Sequence, residues 1–417
     1  MKKFILSFWL ILLNVNVHGL LATHGTFPIG WGTKSVGMGG VAVAYPQDTL
    51  VAATNPAGMY FVPYELDVGG RLFSPIRNYS YTTFGGDDVW SGARFFLIPH
   101  LGYTQKLGGC GVAGLSLYGY GGMNTKYPRN NPVFGQEGMM GGDYAILIVA
   151  PSYSFPLLPD WLCCHSIGIS PLIAAQRIDI AGLENFRSLS SDPANVTNNG
   201  YDWAIGIGVR LGWMGQIFPS LFCAGPLWVG ASYSTQVLMT RFPKYNGLFA
   251  QRGRLNVPAH YTVGMRWELT PCLNIAYDYQ RILFGGVRAF GNGIESIFEG
   301  VKLGEKKGAG FGWKDIGVSK VGVDYCFCNC LQVRTGGSFG PIPYSNTQMD
   351  FNIIAPAVTR YHWSLGATWF IGECQEFDVA YSYAFKQSIK GQSRFGLGEI
   401  KHQMYQNLFE VNYSWRF

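Results

Sequence analysis

The 417-residue chain offers no stretch of about 20 uninterrupted apolar residues, which excludes a protein that crosses a membrane on helices. The apolar run from Phe4 to Leu13 is too short to span. It follows Lys2-Lys3 and precedes small or polar residues through Gly19 and Ala22, the make-up of a secretory signal cleaved after Gly19 or Ala22. Charge is scarce as well. Charged residues make up 13%, and the net charge of +6 is spread along the chain without a basic, aromatic-interleaved run, so nucleic acid is not an expected partner. The motifs of hydrolysis and phosphoryl transfer are also missing: no Gly-x-Ser-x-Gly, no His-Glu-x-x-His and no phosphate loop. The seven histidines are scattered, and neither an enzyme nor a cofactor is expected.

What is present is alternation. The last nine residues set Phe409, Val411, Tyr413, Trp415 and Phe417 against Glu410, Asn412, Ser414 and Arg416. A period of two assigns one set to each face of a sheet. A strand that ends on an aromatic carboxy-terminus, with aromatics on one face, suits a wall between lipid and a lumen, and Phe417 then offers itself to the outer-membrane assembly machinery. Aromatics at 15% and 56 glycines fit the same wall. Alternating segments recur as upward strands near 65–75, 111–120, 165–177, 227–239, 273–283, 331–339 and 376–385. Downward partners lie near 94–105, 143–155, 201–213, 260–268, 315–325, 361–370 and 405–417. The expected fold is all-β: a transmembrane antiparallel β-barrel of about 14 strands in the outer membrane of a Gram-negative bacterium, with lipid around it. Short turns such as 270–272 and 371–374 face the periplasm. Long connections, including 178–200, 241–258, 285–314 and 341–360, face outward. A stack of soluble hairpins would need a second sheet to bury so many aromatic faces.

The segment 23–64 does not alternate. It carries Gly37-Met38-Gly39-Gly40, an Ala-rich stretch with Asp48, and Asn55-Pro56-Ala57-Gly58-Met59. Ahead of a barrel, such a segment hangs in the periplasm or folds inside the lumen, and its small, apolar composition favours the lumen. The division is therefore 1–22 signal, 23–64 hatch and 65–417 barrel. Asn55 can bond the backbone of a tight turn that Pro56 presets, a structural role in the plug, or it can contact ligand.

The order Gly-x-Gly-Gly, Asp48, then Asn55-Pro56-Ala57-Gly58-Met59 resembles the amino-terminal hatch of the FadL/TodX family of outer-membrane transporters. Leu255-Asn256-Val257-Pro258, Gly312-Trp313-Lys314-Asp315 and the strand 361–370 add to the resemblance. It implies passive uptake of hydrophobic compounds, long-chain fatty acids foremost, through a lumen closed by the hatch, with a side opening at a kink of the third strand. There the kink candidates are Gly114, Gly119 and Gly121, and glycines allow a bulge or simply a taper of the wall. A fatty-acid carboxylate needs a cation, and Arg177 and Lys314 stand where the family places basic residues. Pairing with Asp179 or Asp315 is the alternative for each.

Nine cysteines, Cys110, Cys163, Cys164, Cys223, Cys272, Cys326, Cys328, Cys330 and Cys374, all fall in or beside the short periplasmic turns. The periplasm is oxidising, so disulfides are expected, and the odd count leaves a thiol for a periplasmic partner. Cys326-x-Cys328-x-Cys330 lacks the wider spacing of a zinc site, so no metal is expected. Two functional readings remain open: a channel for hydrophobic compounds, or a general porin or disulfide-crosslinked envelope protein. An apolar lumen favours the first and a wet polar one the second.

Overall fold

Strands with one lipid face and one inner face can satisfy every backbone group only by closing on themselves. The computed structural model describes residues 24–62, 64–108, 111–128, 131, 133–135, 138–157, 164–222, 224–328 and 330–417. The signal segment and Cys110, Cys163 and Cys223 lie outside the described residues. Fourteen long strands form the wall: β1 (Glu65–Tyr81), β2 (Phe96–Lys106), β3 (Val112–Tyr127), β4 (Met140–Pro156), β5 (His165–Ala181), β6 (Asp202–Phe218), β7 (Leu227–Ser234), β8 (His260–Thr270), β9 (Leu273–Ile282), β10 (Ile316–Cys328), β11 (Leu331–Phe339), β12 (Tyr361–Ile371), β13 (Gln375–Gln392) and β14 (Glu399–Arg416). Two-residue pieces, Val89–Trp90 and Leu238–Met239, pair at the outer rim. Each long strand pairs antiparallel with its neighbours in the chain. The barrel closes where β1 meets β14, from Glu65 opposite Arg416 to Tyr81 opposite Ile400.

The two-solvent pattern is clear on β9, where Asn274, Ala276, Asp278 and Gln280 are buried while Ile275 and Tyr277 are exposed to the lipid side. Several strands run further outward than the alternation suggests. β1 continues to Tyr81 and β3 to Tyr127, and their last residues are buried together under the outer loops, which erases the sequence contrast between the faces.

The interior is filled by residues 24–62, built around a short helix α1 (Thr33–Gly37) and two 3-10 turns, Thr49–Ala53 and Pro56–Phe61. This segment has little regular structure, so its backbone groups find partners on the wall. Asp278 accepts from the amides of Ala42 and Val43, at 2.8 and 3.0 Å. Lys320 donates to the carbonyls of Ile29 (2.9 Å) and Gly40 (3.3 Å), and Arg210 to that of Ala52 (3.1 Å). Asp67 accepts from the amide of Thr49, at 2.8 Å. Wall and plug also approach backbone to backbone: a β-carbon on Gly37 would lie 2.9 Å from the α-carbon of Gly366 on β12.

The lumen is polarised along its axis. Its periplasmic half holds buried ion pairs: Lys34 of α1 with Glu376, Arg71 with Glu410 (2.6 Å), and Arg416 with both Glu65 (3.1 Å) and Glu376. The outer half is packed with Phe27, Trp31, Phe134, Phe186, Phe249, Phe284, Phe290, Phe311, Trp313 and Phe351. A buried ion pair is costly to break, because the orphaned charge keeps its desolvation penalty. The lower lumen therefore resists a passing apolar molecule, and the upper lumen is miscible with one.

Candidate functional site

A window opens in the wall where the third strand changes register. Up to Tyr118, opposite His100 on β2, β3 is hydrogen-bonded on both sides. Beyond that point the β2–β3 ladder ends, although β2 still extends upward from Pro99 to Phe96 along β1. The β3–β4 pairing shifts between Gly119 and Gly121, leaving Tyr120 as the extra residue of a bulge. Above the gap the wall is rejoined: the amide of Gly92 donates to the carbonyl of Lys126 (2.7 Å), and that of Ser91 to the carbonyl of Arg77 (3.0 Å). The opening is bounded by Phe96 to Pro99 on one side and Gly119 to Thr125 on the other.

The bulge also re-aims side chains. Below it the even residues of β3 face inward, Tyr118 opposite the buried Ile148. Above it Gly121 pairs with Ile146, Met123 with Tyr144 and Tyr127 with Met140, so the odd residues face the lumen. Tyr120 stacks on Trp31 of the hatch, with ring centroids 5.2 Å apart, and its hydroxyl lies 3.1 Å from Nδ1 of His260. Gly121 lies against the carbonyl of Thr26, where a β-carbon would overlap that oxygen. Of the three kink candidates, Gly119 and Gly121 flank the bulge, while Gly114 lies in regular pairing and packs on Met59 of the hatch.

Small cavities lie between the loop-covered top and this window. An apolar space of about 20 Å³ lies among Leu183, Phe186, Leu248, Phe249, Phe311 and Phe351. A second, of about 10 Å³, shares Phe249, Phe311 and Ile354 with it and continues to Met123 and Ala355. A third, of about 20 Å³, shares Met123 and Ala355 and reaches Phe96, Asn124 and Thr125 on the inner side of the window. Outside the wall, a recess of about 560 Å³ shares Phe96, Asn124 and Thr125 and opens among Ala93, Phe95 and Met139. Each space shares lining residues with the next, so the four lie in a row from the loops to the window.

The hatch motif sits at the lower end of the plug. The side chain of Asn55 caps the turn Pro56–Phe61 by accepting from the amide of Ala57 (3.1 Å). It also donates to the carbonyls of Val43 (2.7 Å) and Trp213 (3.0 Å). The carbonyl of Ala57 accepts from Ser154 and Ser166 on the wall, at 3.0 and 2.8 Å.

The two cations expected to meet a carboxylate stand elsewhere than the lumen. On β5 the lumenal residues have even numbers, such as Ser170, Leu172 and Gln176, so Arg177 points outward. There its guanidinium pairs with Asp143 at 2.9 Å and lies 4.6 Å over the ring of Tyr201, at the outer edge of the recess. Lys314 is exposed in the outer loop that follows the buried Trp313, and Asp315 accepts from the amide of Gly285 instead of pairing with it. A cation absent from those expectations is lumenal: Arg77, on the inward parity of β1 that also carries Glu65, Asp67 and Arg71, lines the cavity inside the window.

Cys272, Cys326, Cys328, Cys330 and Cys374 carry free thiols and lie in or beside the β8–β9, β10–β11 and β12–β13 turns, with Cys326 and Cys328 at the end of β10, on the rim opposite the long loops. Cys164 lies on the same rim, just before β5.

Comparison with known proteins bears on this arrangement. Residues 233–414 match the family model described as outer membrane protein transport protein (OMPP1/FadL/TodX). No curated relative matches the chain significantly by sequence. The Pseudomonas putida toluene transporter TodX superposes with a TM-score of 0.69 at 17% identity, covering 93% of this chain and 99% of TodX. A Pseudomonas aeruginosa FadL homologue gives 0.67 at 15%, covering 96% and 100%. The Ralstonia pickettii toluene transporter TbuX gives 0.62 at 17%, covering 93% and 99%. At these identities the likeness establishes the shared fold.

Proposed function

We infer that this chain, whose residues 233–414 match the model of the OMPP1/FadL/TodX family of outer-membrane transport proteins and whose fold is that of an outer-membrane barrel, is a passive channel for hydrophobic compounds, long-chain fatty acids among them. The observation that carries this reading is the chain of cavities from Leu183 and Phe249, past Met123 and Ala355, to the window beside Phe96. Its first two spaces are lined almost wholly by apolar side chains. A molecule following it exchanges one apolar contact for another, and each methylene withdrawn from water contributes about 0.8 kcal/mol. Straight descent would instead require separating Lys34 from Glu376 and Arg71 from Glu410. Sideways exit at Gly119 to Gly121 avoids that cost.

The toluene transporters among the structural neighbours support a hydrophobic cargo. The packed aromatic upper lumen speaks against a water-filled general porin. The spaces are narrow, so passage requires side chains to move. Met123 is an unbranched, adaptable residue placed where two of them meet. The hatch fixes the inner face of the window through Thr26 and Phe27, and its displacement there, while Asn55 stays anchored below, is the gating movement we assign to it.

The test is uptake of an apolar fluorescent probe by cells carrying the protein with Ala355→Trp, which fills the middle of the route, or Ile173→Trp on the lipid face. Ala355 is buried and Ile173 is half exposed. Loss of uptake with the first and none with the second is expected. Equal uptake in both would refute the route.

A further inference from the structure

We propose that Cys328 and Cys330, on the periplasmic rim, form a thiol–disulfide exchange site at which a periplasmic protein carrying an accessible disulfide is joined to the barrel and released again. The inference goes beyond the channel reading and does not depend on it.

Two pairs of thiols lie on adjoining turns, and the backbone sorts them. Leu273 of β9 stands opposite Tyr325 of β10, and the amide of Cys326 donates to the carbonyl of Cys272 (2.9 Å), so these two cysteines face each other at the next position. Residues opposite one another in an antiparallel pair share a face, with α-carbons about 4.5–5.5 Å apart, inside the range of roughly 4.4–6.8 Å that a disulfide bridges. Cys272 and Cys326 are thus placed to close on each other as a fixed staple between two turns.

Beyond Cys326 the geometry changes. The β10–β11 register shifts between Cys326 and Cys328, and Cys328 falls opposite Leu331, which turns Cys330 back against it. Both thiols are exposed. The thiol of Cys330 donates to the sulfur of Cys328, and so do the amides of Cys330 and Leu331. Three donors around one sulfur favour its thiolate, the nucleophilic form, and one of those donors is itself a second thiol within reach. A bond between the two closes a loop of a single intervening residue. It gains little by restricting the unfolded chain, and exposed disulfides are the exchangeable ones.

The exchange has two steps. The Cys328 thiolate attacks one sulfur of the partner's disulfide, forming a mixed disulfide and expelling the partner's other sulfur as a thiolate. Cys330, after giving up its proton, then attacks the sulfur of Cys328 and expels the partner's remaining thiolate. The pair is oxidised by two electrons to the Cys328–Cys330 disulfide, the partner's disulfide is reduced to two thiols, and the two protons lost by the pair end on those thiols. Run in reverse, a partner thiol reopens the bond. The intermediate is the covalently attached state, and Cys330 decides how long it lasts.

The experiment treats the reduced, folded barrel with oxidised glutathione near neutral pH, quenches with acid and maps the products by mass spectrometry. Glutathione disulfide stands for the partner's disulfide. Chymotryptic cleavage after Phe327 and Leu331 separates Cys326 from a peptide that holds Cys328 and Cys330. In wild type that peptide should lose two hydrogens and keep little glutathione. Cys330→Ser should accumulate glutathione on Cys328, several-fold above the amount found on Cys330 in Cys328→Ser. A glutathione adduct that persists in wild type, or equal adducts in the two serine variants, would overturn the site. So would bonding of Cys328 or Cys330 to Cys272 or Cys326 in place of each other.

Discussion

The carbonyl oxygen of Thr26, in the hatch, occupies the space that a side chain on Gly121, in the wall, would need. The contact falls at the bulge where β3 has left β2, so plug and window meet at one point. Gly121→Val must push Thr26 inward or reverse the bulge, at about 1–3 kcal/mol for overpacking. Uptake of an apolar probe should fall several-fold. In Gly70→Ala, where the added carbon meets neighbours only at 3.8 and 3.9 Å, uptake should match wild type.

Hatch retention can be read as electrical leak. Asn55→Ala removes the cap of the turn and the bonds to Val43 and Trp213, and Asp278→Ala removes the acceptor for two hatch amides. Each should weaken docking by about 1–2 kcal/mol. In planar bilayers the double variant should conduct small ions where wild type is silent, and an unchanged conductance would show that the plug is held by other contacts.

How much of this was legible in the sequence follows from the two solvents of the wall. Where a strand has lipid on one side and a polar network on the other, as at Leu273 to Ile282, alternation identifies strand, face and pairing. Where both faces are covered, as at Arg77 to Tyr81, the contrast vanishes and the strand runs past its apparent end. Parity alone could have moved attention from Arg177, out of phase with Ser170 and Gln176, to Arg77, in phase with Asp67 and Arg71. The window could not be read that way. It is the absence of pairing between β2 and β3, a property of register, and the glycines at 119 and 121 signalled only that a bulge was permitted.

The buried pair Arg71–Glu410 should be a main support of the plug, since Arg71 also holds the carbonyl of Gly30 at 2.9 Å. Arg71→Met leaves the fully buried Glu410 with Thr33 and His100 as its remaining side-chain partners among the described residues. A loss of about 3–5 kcal/mol is expected, seen as a lower temperature for conversion of the compact barrel to its unfolded form on gels. An unaltered transition would mean that neighbouring groups compensate.

The periplasmic thiols should differ in reactivity. Contact with the thiol of Cys330 lowers the pKa of Cys328, and the same contact raises that of Cys330. The thiolate is the nucleophile, so near neutral pH Cys328 should be alkylated first, with the difference shrinking as pH rises above both thiols. Mass-spectrometric mapping after brief iodoacetamide treatment checks this. We also expect disulfide-linked species between this rim and periplasmic partners in the oxidising compartment. Non-reducing gels showing monomer alone would oppose that.

The most direct measurement of the central claim is photolabelling of the folded barrel in membranes with an apolar diazirine probe added from outside, followed by peptide mapping. Labels on Phe249, Phe311, Met123 and Phe96, with none on Val51, Met59 or Val62 in the lower plug, are the predicted result. Labels concentrated on Val51, Met59 and Val62, with Met123 and Phe96 untouched, would show that cargo passes through the plug toward the periplasm and would contradict the sideways route.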